Sequence, residues 1–138
     1  MKVKDLDGNI YKWKISSSSV RGTNARPRSQ IHLTARSLLQ DTYPTLLLCE
    51  EVSVRLRYNK KVFLDFYINT IKTVIEVHGA QHYSFNSLYH TCAQDFINQK
   101  KRDRELQEWC VLNNLNYIEL PFNENKEQWL ARIQQKNA

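Results

Sequence analysis

Glycine and proline are scarce in this chain of 138 residues, with three of each. That excludes collagen-like repeats and linker-rich architectures. Cysteine is scarce too. Cys49, Cys92 and Cys110 make an odd number with no Cys-x-x-Cys pair, so a reducing compartment is expected rather than a disulfide framework. Cys49 and Cys110 read as small buried hydrophobes. No apolar run approaches the roughly 18 residues that span a bilayer. The first residues, Met1-Lys-Val-Lys-Asp, lack the apolar core of a signal peptide. The expectation is a soluble, cytoplasmic protein with no membrane partner. Acids are absent from residues 11–36, which nevertheless carry Lys12, Lys14, Arg21, Arg26, Arg28 and Arg36.

What is present suits one compact domain. Hydrophobic residues make up 41% of the chain, enough for a core. Lys and Arg outnumber Asp and Glu by 20 to 14, and the resulting charge of +6 favours a polyanionic partner such as nucleic acid. The acid-free stretch and the helix face that carries Lys100 and Lys101 are the candidate DNA contacts.

Periodicity orders the chain. Residues 2–15 predict a hairpin turning at Asp7-Gly8. Residues 16–29 are polar and without period, and read as a loop or basic arm. The join near residue 30 is the domain boundary expected, with an N-terminal hairpin and basic arm over 1–29 and the main domain over 30–138. Ser29 is placed to cap a helix over about 30–41, ended by Tyr43-Pro44. Residues 45–54 predict a first core strand, and strands follow over about 62–69 and 72–78. No element is predicted for 79–92. A long helix over about 93–114 stops at Asn113-Asn114, a strand covers 116–121, and a last helix covers about 125–135. The first three strands suit an antiparallel meander, and the long helix supplies a crossover to a parallel fourth. The fold class is a mixed α/β sheet with an αβββαβ core.

Two apolar strands each carry an acid in the middle: Asp65 in one, Glu76 in the next. Acids sit inside such strands when they are paired or hold a metal. If the strands pair, both carboxylates converge, and a divalent ion or a proton between them relieves their repulsion. Oxygen ligands favour Mg²⁺ or Mn²⁺, which polarises a phosphodiester and activates a water. His78 follows Glu76 on the same face and reads as a general base or phosphate stabiliser. Gly79 allows a close backbone approach, and His82 follows as a further polar group. Asp103 lies on the charged helix. His82, His90, Cys92 and Cys110 are zinc-type residues, but their spacing matches no tight zinc pattern.

These residues resemble the PD-(D/E)XK restriction-endonuclease superfamily. The likeness rests on Asp65, Glu76-Val-His78-Gly79-Ala-Gln-His82, Arg102-Asp103 and Asn116-Tyr-Ile-Glu-Leu-Pro121, and covers most of residues 30–122. The lysine of the motif is missing, and His78 stands in its place. The pattern is closest to the Vsr-like branch, which uses an acid, an aspartate, a histidine and a further aspartate, and to its small phage and intron homing endonucleases. The resemblance implies Asp65 as principal metal ligand, helped by the Val77 carbonyl. It implies His78 as base or phosphate stabiliser, with Asp103 assisting His82 or a water. Its leading acid falls on Glu50 or Glu51, and Glu51 is preferred. Structural zinc ligands of the repair enzymes have no match here, which favours the homing type over mismatch repair. The implied protein is a site-specific endonuclease of double-stranded DNA using Mg²⁺, dimeric or larger where its target is long. Structure- or mismatch-specific nicking and a non-catalytic DNA-binding module are the alternatives.

Overall fold

A computed structural model describes residues 1–15, 29–80, 83 and 93–136. The arm at 16–28, with Arg21, Arg26 and Arg28, lies outside the described residues, as do Gln81, His82, His90 and Cys92. The element order is β1 (Lys2–Lys4), β2 (Ile10–Lys12), α1 (Gln30–Thr42), β3 (Cys49–Arg57), β4 (Lys60–Ile68), β5 (Thr73–His78), α2 (Ala93–Leu112), β6 (Asn116–Pro121) and α3 (Lys126–Lys136). The architecture is mixed α/β. One four-stranded sheet runs β3-β4-β5-β6, with β3, β4 and β5 antiparallel and β6 parallel to β5. Among the described residues no helix is long and apolar enough to cross a membrane.

Both faces of the sheet are covered, which makes β5 buried along its whole length. On one face, Leu106, Trp109 and Cys110 of α2 pack on Val52, Val54, Leu64 and Val74. On the other, Ala35 and Leu39 of α1 and Trp129 and Ile133 of α3 pack on Phe66, Ile68, Ile75 and Ile118. Helix α1 begins where Ser29 Oγ accepts from the His32 N–H (3.3 Å). Helix α2 ends as expected at Asn113-Asn114, where Asn114 turns left-handed (φ 56°) and the Leu115 N–H reaches back to the Cys110 carbonyl (2.8 Å). Cys49 and Cys110 are free and buried, in agreement with their reading as hydrophobes.

The first core strand differs from the expectation of 45–54. Hydrophobicity without alternation drew that boundary too early. Leu47 is exposed, Leu46 belongs to the turn after α1, and the strand starts at Cys49. At its far end, Arg55 and Arg57 alternate with buried Val54 and Leu56, so the strand runs on to Arg57.

The hairpin belongs to the core. Asp5 is fully buried, and its carboxylate accepts from the Asp7 N–H (2.9 Å) and the Asn9 N–H (3.0 Å), which fixes the turn around Gly8 (φ 89°). The Leu6 N–H donates to the Leu56 carbonyl (2.7 Å). Trp13 donates from Nε1 to the Ser53 carbonyl (3.0 Å) and packs against Tyr67 and Trp109 with ring centroids 4.7 and 5.3 Å away. An edge-to-face aromatic cluster of this kind contributes beyond its buried area. Trp13→Ala is therefore expected to destabilise the protein by about 3–5 kcal/mol, read from the midpoint of urea unfolding. A loss below about 1 kcal/mol would mean that the hairpin is an appendage.

Candidate functional site

The β4–β5 ladder stops early, and the acids stand where it stops. Its last pair is Phe66 with Ile75. From there to Lys60, β4 pairs with β3 alone, while β5 continues to His78 beside β6 alone. The sheet thus forks. Asp65 and Glu76 are the next residues on the two prongs. Their carboxylates take over the missing ladder bonds: Glu76 Oε2 accepts from the Asp65 N–H (2.6 Å), and Asp65 Oδ2 accepts from the Val77 N–H (2.9 Å). Arg102 of α2 bridges the prongs. Its Nη2 donates to the Phe63 carbonyl on β4 (3.1 Å) and lies 3.5 Å from Glu76 Oε1 on β5.

A local phase change puts Asp65 in this position. Val62 and Leu64 face α2, whereas Phe66 and Ile68 face α1 and α3. On β3, Val52 and Cys49 both face α2, although they are three residues apart. The break lies at Glu51, whose φ of 56° is left-handed. Such a conformation in a non-glycine residue costs of order 1–3 kcal/mol and clusters at functional sites. The neighbouring pairs Glu50–Phe66 and Val52–Leu64 set Glu51 opposite Asp65.

A cleft of about 700 Å³ opens at the fork, lined among others by His32, Asp65, Glu76, Gly79, Gln99 and Arg102. Burial raises the Asp65 carboxyl above its usual range. Burial, and then the charge of Asp65, raises Glu76 well above it. Arg102 opposes both shifts without cancelling them. The donor set fits a hard divalent cation. Two carboxylates line an open cleft, and Mg²⁺ is commonly held by one or two carboxylates plus water and phosphate oxygens. Among the described residues, no group of three or more His, Cys, Asp and Glu side chains forms a fuller cage, for zinc or any other ion.

His78 is elsewhere. Its ring is 2% exposed, with Nδ1 3.2 Å from Glu119 Oε1 and Nε2 3.2 Å from the Tyr117 hydroxyl. Tyr83 donates to the other Glu119 oxygen. Hydrogen bonding from His78 holds Glu119 down to about 2. His78 lines a separate cleft of about 270 Å³ with Lys100, Asp103 and Glu119, not the cleft of Asp65 and Glu76. Asp103 is buried beside it, with Oδ1 accepting from Gln99 and Arg102 (both 3.3 Å).

Among the described residues the histidine on the wall of the main cleft is His32, which sequence reasoning missed. Its Nε2 lies 2.9 Å from Glu50 Oε1, and its ring stacks on Phe66 at 4.5 Å. Arg36, one helical turn on, donates to the same Glu50 oxygen from Nε (3.0 Å). Glu50 rather than Glu51 is thus the acid joined to α1, and the guanidinium of Arg36, expected to meet DNA, is engaged by it. The available signal was the i, i+4 spacing of His32 and Arg36, which puts both on one helix face. Lys12, Lys14, Lys100 and Lys101 are all exposed. Lys100 sits over the Tyr83 ring at 5.4 Å.

No family model matches the chain, and no solved structure matches it. Segments of it are similar to three viral proteins. It is 36% identical over 64 residues to "Uncharacterized protein 307L" of Invertebrate iridescent virus 6, covering 46% of this chain and 32% of that protein. It is 34% identical over 59 residues to "Uncharacterized protein 033L" of Invertebrate iridescent virus 3, covering 43% and 30%. It is 37% identical over 72 residues to "Uncharacterized protein 094L" of Frog virus 3 (isolate Goorha), covering 51% and 46%. The chain spans less than half the length of each of these relatives.

The raised acids have a consequence for stability. A carboxyl whose pKa is higher folded than unfolded binds protons on folding, so its contribution is most favourable below the ordinary carboxylate range. It turns against the fold as pH climbs from that range through the raised value. Glu76→Gln keeps an acceptor for the Asp65 N–H and carries no charge. The variant is expected to melt roughly 2–4 °C above the unmutated protein at pH 8, with the difference closing towards pH 4. Scanning calorimetry across that range reads the effect. A variant that melts lower at pH 8 would show that Glu76 is fully compensated.

Proposed function

We propose that this chain is a divalent-metal-dependent DNA endonuclease on a restriction-endonuclease-like core, of the Vsr-like, homing type. The observation that carries the reading is the pair Asp65 and Glu76 at the fork, buried and facing an open cleft, with an arginine beside them. In a fold with both sheet faces covered, an incompletely neutralised pair of this kind is a candidate for function rather than packing. Asp65 and Glu76 would hold Mg²⁺ or Mn²⁺, with the Val77 carbonyl as the further oxygen that the resemblance implies. A bound ion there would polarise a phosphodiester and lower the pKa of a water.

The chain's own groups do the rest. Arg102 offers a guanidinium to a phosphate oxygen near the ion site. His32 is the imidazole on the cleft wall, and Glu50 holds the orientation of its ring. We assign His32 the proton-accepting role expected of His78. His78 becomes a positioning residue. It ties β5 to β6 through Glu119 and Tyr117, and so steadies the strand that carries Glu76. Phosphate contacts by exposed lysines would supply salt-dependent affinity.

Plasmid cleavage tests the assignment. The unmutated protein is expected to nick or linearise DNA bearing its target in Mg²⁺ and to be inert in EDTA. Asp65→Asn should lower the rate at least about 1,000-fold, and His32→Gln about 100-fold or more, the usual scale of a general base. His78→Gln should act chiefly by lowering the melting temperature. Mg²⁺ should raise the melting temperature of the unmutated protein but not of Asp65→Asn. An intact plasmid together with no thermal response to Mg²⁺ would leave a non-catalytic binding module.

A further inference from the structure

The main cleft continues into two grooves that the proposed chemistry does not use. Arg102 lines both the main cleft and a groove of about 530 Å³ whose wall includes Lys61, Phe63 and Lys101. Lys60 and Lys61 then line both that groove and the next, of about 470 Å³, which reaches Lys12, Lys14 and Tyr58. The three depressions therefore form one track from the fork to the N-terminal hairpin. Neither outer groove has a carboxylate in its lining. Lys60 is engaged by Glu105 (2.6 Å), but Lys12, Lys14, Lys61 and Lys101 make no ion pair among the described residues. Arg55 and Arg102 are paired as well, with Asp5 and with Glu76 and Asp103, but the four lysines spread along the track are a footprint suited to a phosphate backbone.

The aromatics along the track narrow the ligand. Phe63 is 50% exposed and Tyr58 82% exposed. The Lys61 ammonium lies 5.3 Å from the Phe63 ring centroid. Isolated exposed aromatics need no explanation. Phe63 stands in one acid-free groove and Tyr58 in the next, and Phe63 lies two residues from Asp65 on the same strand. A ring in such a place can stack only on a base whose face is open. Bases in duplex DNA have their faces covered by neighbours and offer only their edges, whereas single strands are bound by cationic grooves with stacking rings.

We infer that the track from Lys12 to Arg102 binds a single-stranded nucleic acid segment, with Phe63 and Tyr58 stacking on unpaired bases, and leads it to the Asp65–Glu76 fork. This deepens the nuclease reading and rests on it for the destination of the strand. It adds to the duplex target an unpaired segment, such as a locally opened strand, an overhang or a flap, as the part of the substrate that the track holds. The track itself is independent of catalysis and is tested without it.

The test uses full-length Asp65→Asn protein in EDTA and fluorescence anisotropy with three labelled probes: a dT 20-mer, a blunt 20-base-pair duplex, and that duplex with a dT overhang. The dT and overhang probes are expected to bind at least about tenfold more tightly than the blunt duplex. Phe63→Ala and Tyr58→Ala should each weaken dT binding by roughly 5- to 100-fold and leave duplex binding within about twofold. Phe63→Leu, which keeps an apolar side chain, should lose the same affinity, separating stacking from folding. Replacing Lys61 and Lys101 together by Gln should flatten the salt dependence for dT by roughly 1.4 in log–log slope. The inference is overturned if the blunt duplex binds as tightly as dT, if the aromatic variants bind dT normally, or if no probe binds. Binding of dT by a chain that never cleaves DNA would keep the track and remove the nuclease reading. Cleavage of blunt duplex at an unchanged rate by Phe63→Ala would do the reverse.

Discussion

The exchange of backbone ladder bonds for carboxylate bonds at Asp65 and Glu76 is the interaction on which the rest of the molecule turns. A sheet that forks leaves amide groups at the crotch without strand partners, and an unpaired buried amide is costly. Here the Asp65 and Val77 amides are both taken by side-chain oxygens of the opposite prong. The fork is thereby held open at a defined width, and the cleft between α1 and α2 exists because it is open. Shifting either strand by one residue would aim its acid at the opposite face. The left-handed turn at Glu51, opposite Asp65, is the distortion on the third strand that accompanies the arrangement.

Other buried acids of this protein have closer partners, although one oxygen of Glu50 and one of Asp5 are left without a hydrogen bond. Glu105 meets Arg57 at 2.8 Å and Lys60 at 2.6 Å, and its carboxyl is lowered despite burial. Glu50 meets both His32 and Arg36 at 2.9 Å. Asp5 is held by two amides of its own turn, and its carboxyl too is lowered. Asp65 and Glu76 go the other way: Arg102 stands 3.5 Å from Glu76 Oε1, and together with His32 and His78 near Asp65 it does not cancel the effect of burial. Removing a partner from a buried charge is strongly destabilising, and an acid pair this short of cations is relieved by a proton or, on the proposed reading, by a bound cation. That contrast, more than either acid alone, sets the fork apart from the packing around it.

Much of this was legible in the residues, and the parts that were not share a cause. Strand and helix positions follow from local periodicity, and the hairpin turn, the Ser29 cap and the Asn113-Asn114 stop each use chemistry within a few residues. Asp65 and Glu76 stood out because polar groups interrupt otherwise apolar strands. The partners of His78 and His32 did not, because each lies far along the chain. Glu119 and Tyr117 reach His78 only once β6 lies parallel to β5, and Glu50 reaches His32 across 18 residues. A histidine two residues past an acid shares its face, but face alone does not say whether the ring meets a cleft or a neighbouring strand. The start of β3 was misplaced for the opposite reason: three consecutive leucines signal burial without saying which of them the sheet uses.

Charge is thus arranged in two opposed groups. The uncompensated acids are withdrawn into the fork, and the uncompensated lysines line the grooves leading to it. The groups do not neutralise each other, since the lysines project into solvent where water screens them, whereas the acids lie where burial has raised their pKa. A cation in the fork and a polyanion along the grooves would each relieve one of these groups. The polyanion would also bring phosphate oxygens to the remaining coordination positions of the cation, so each ligand would strengthen the binding of the other, and by linkage to the same degree. On the proposed reading, the described lysines of the grooves and the acid pair of the fork are the two halves of one binding surface.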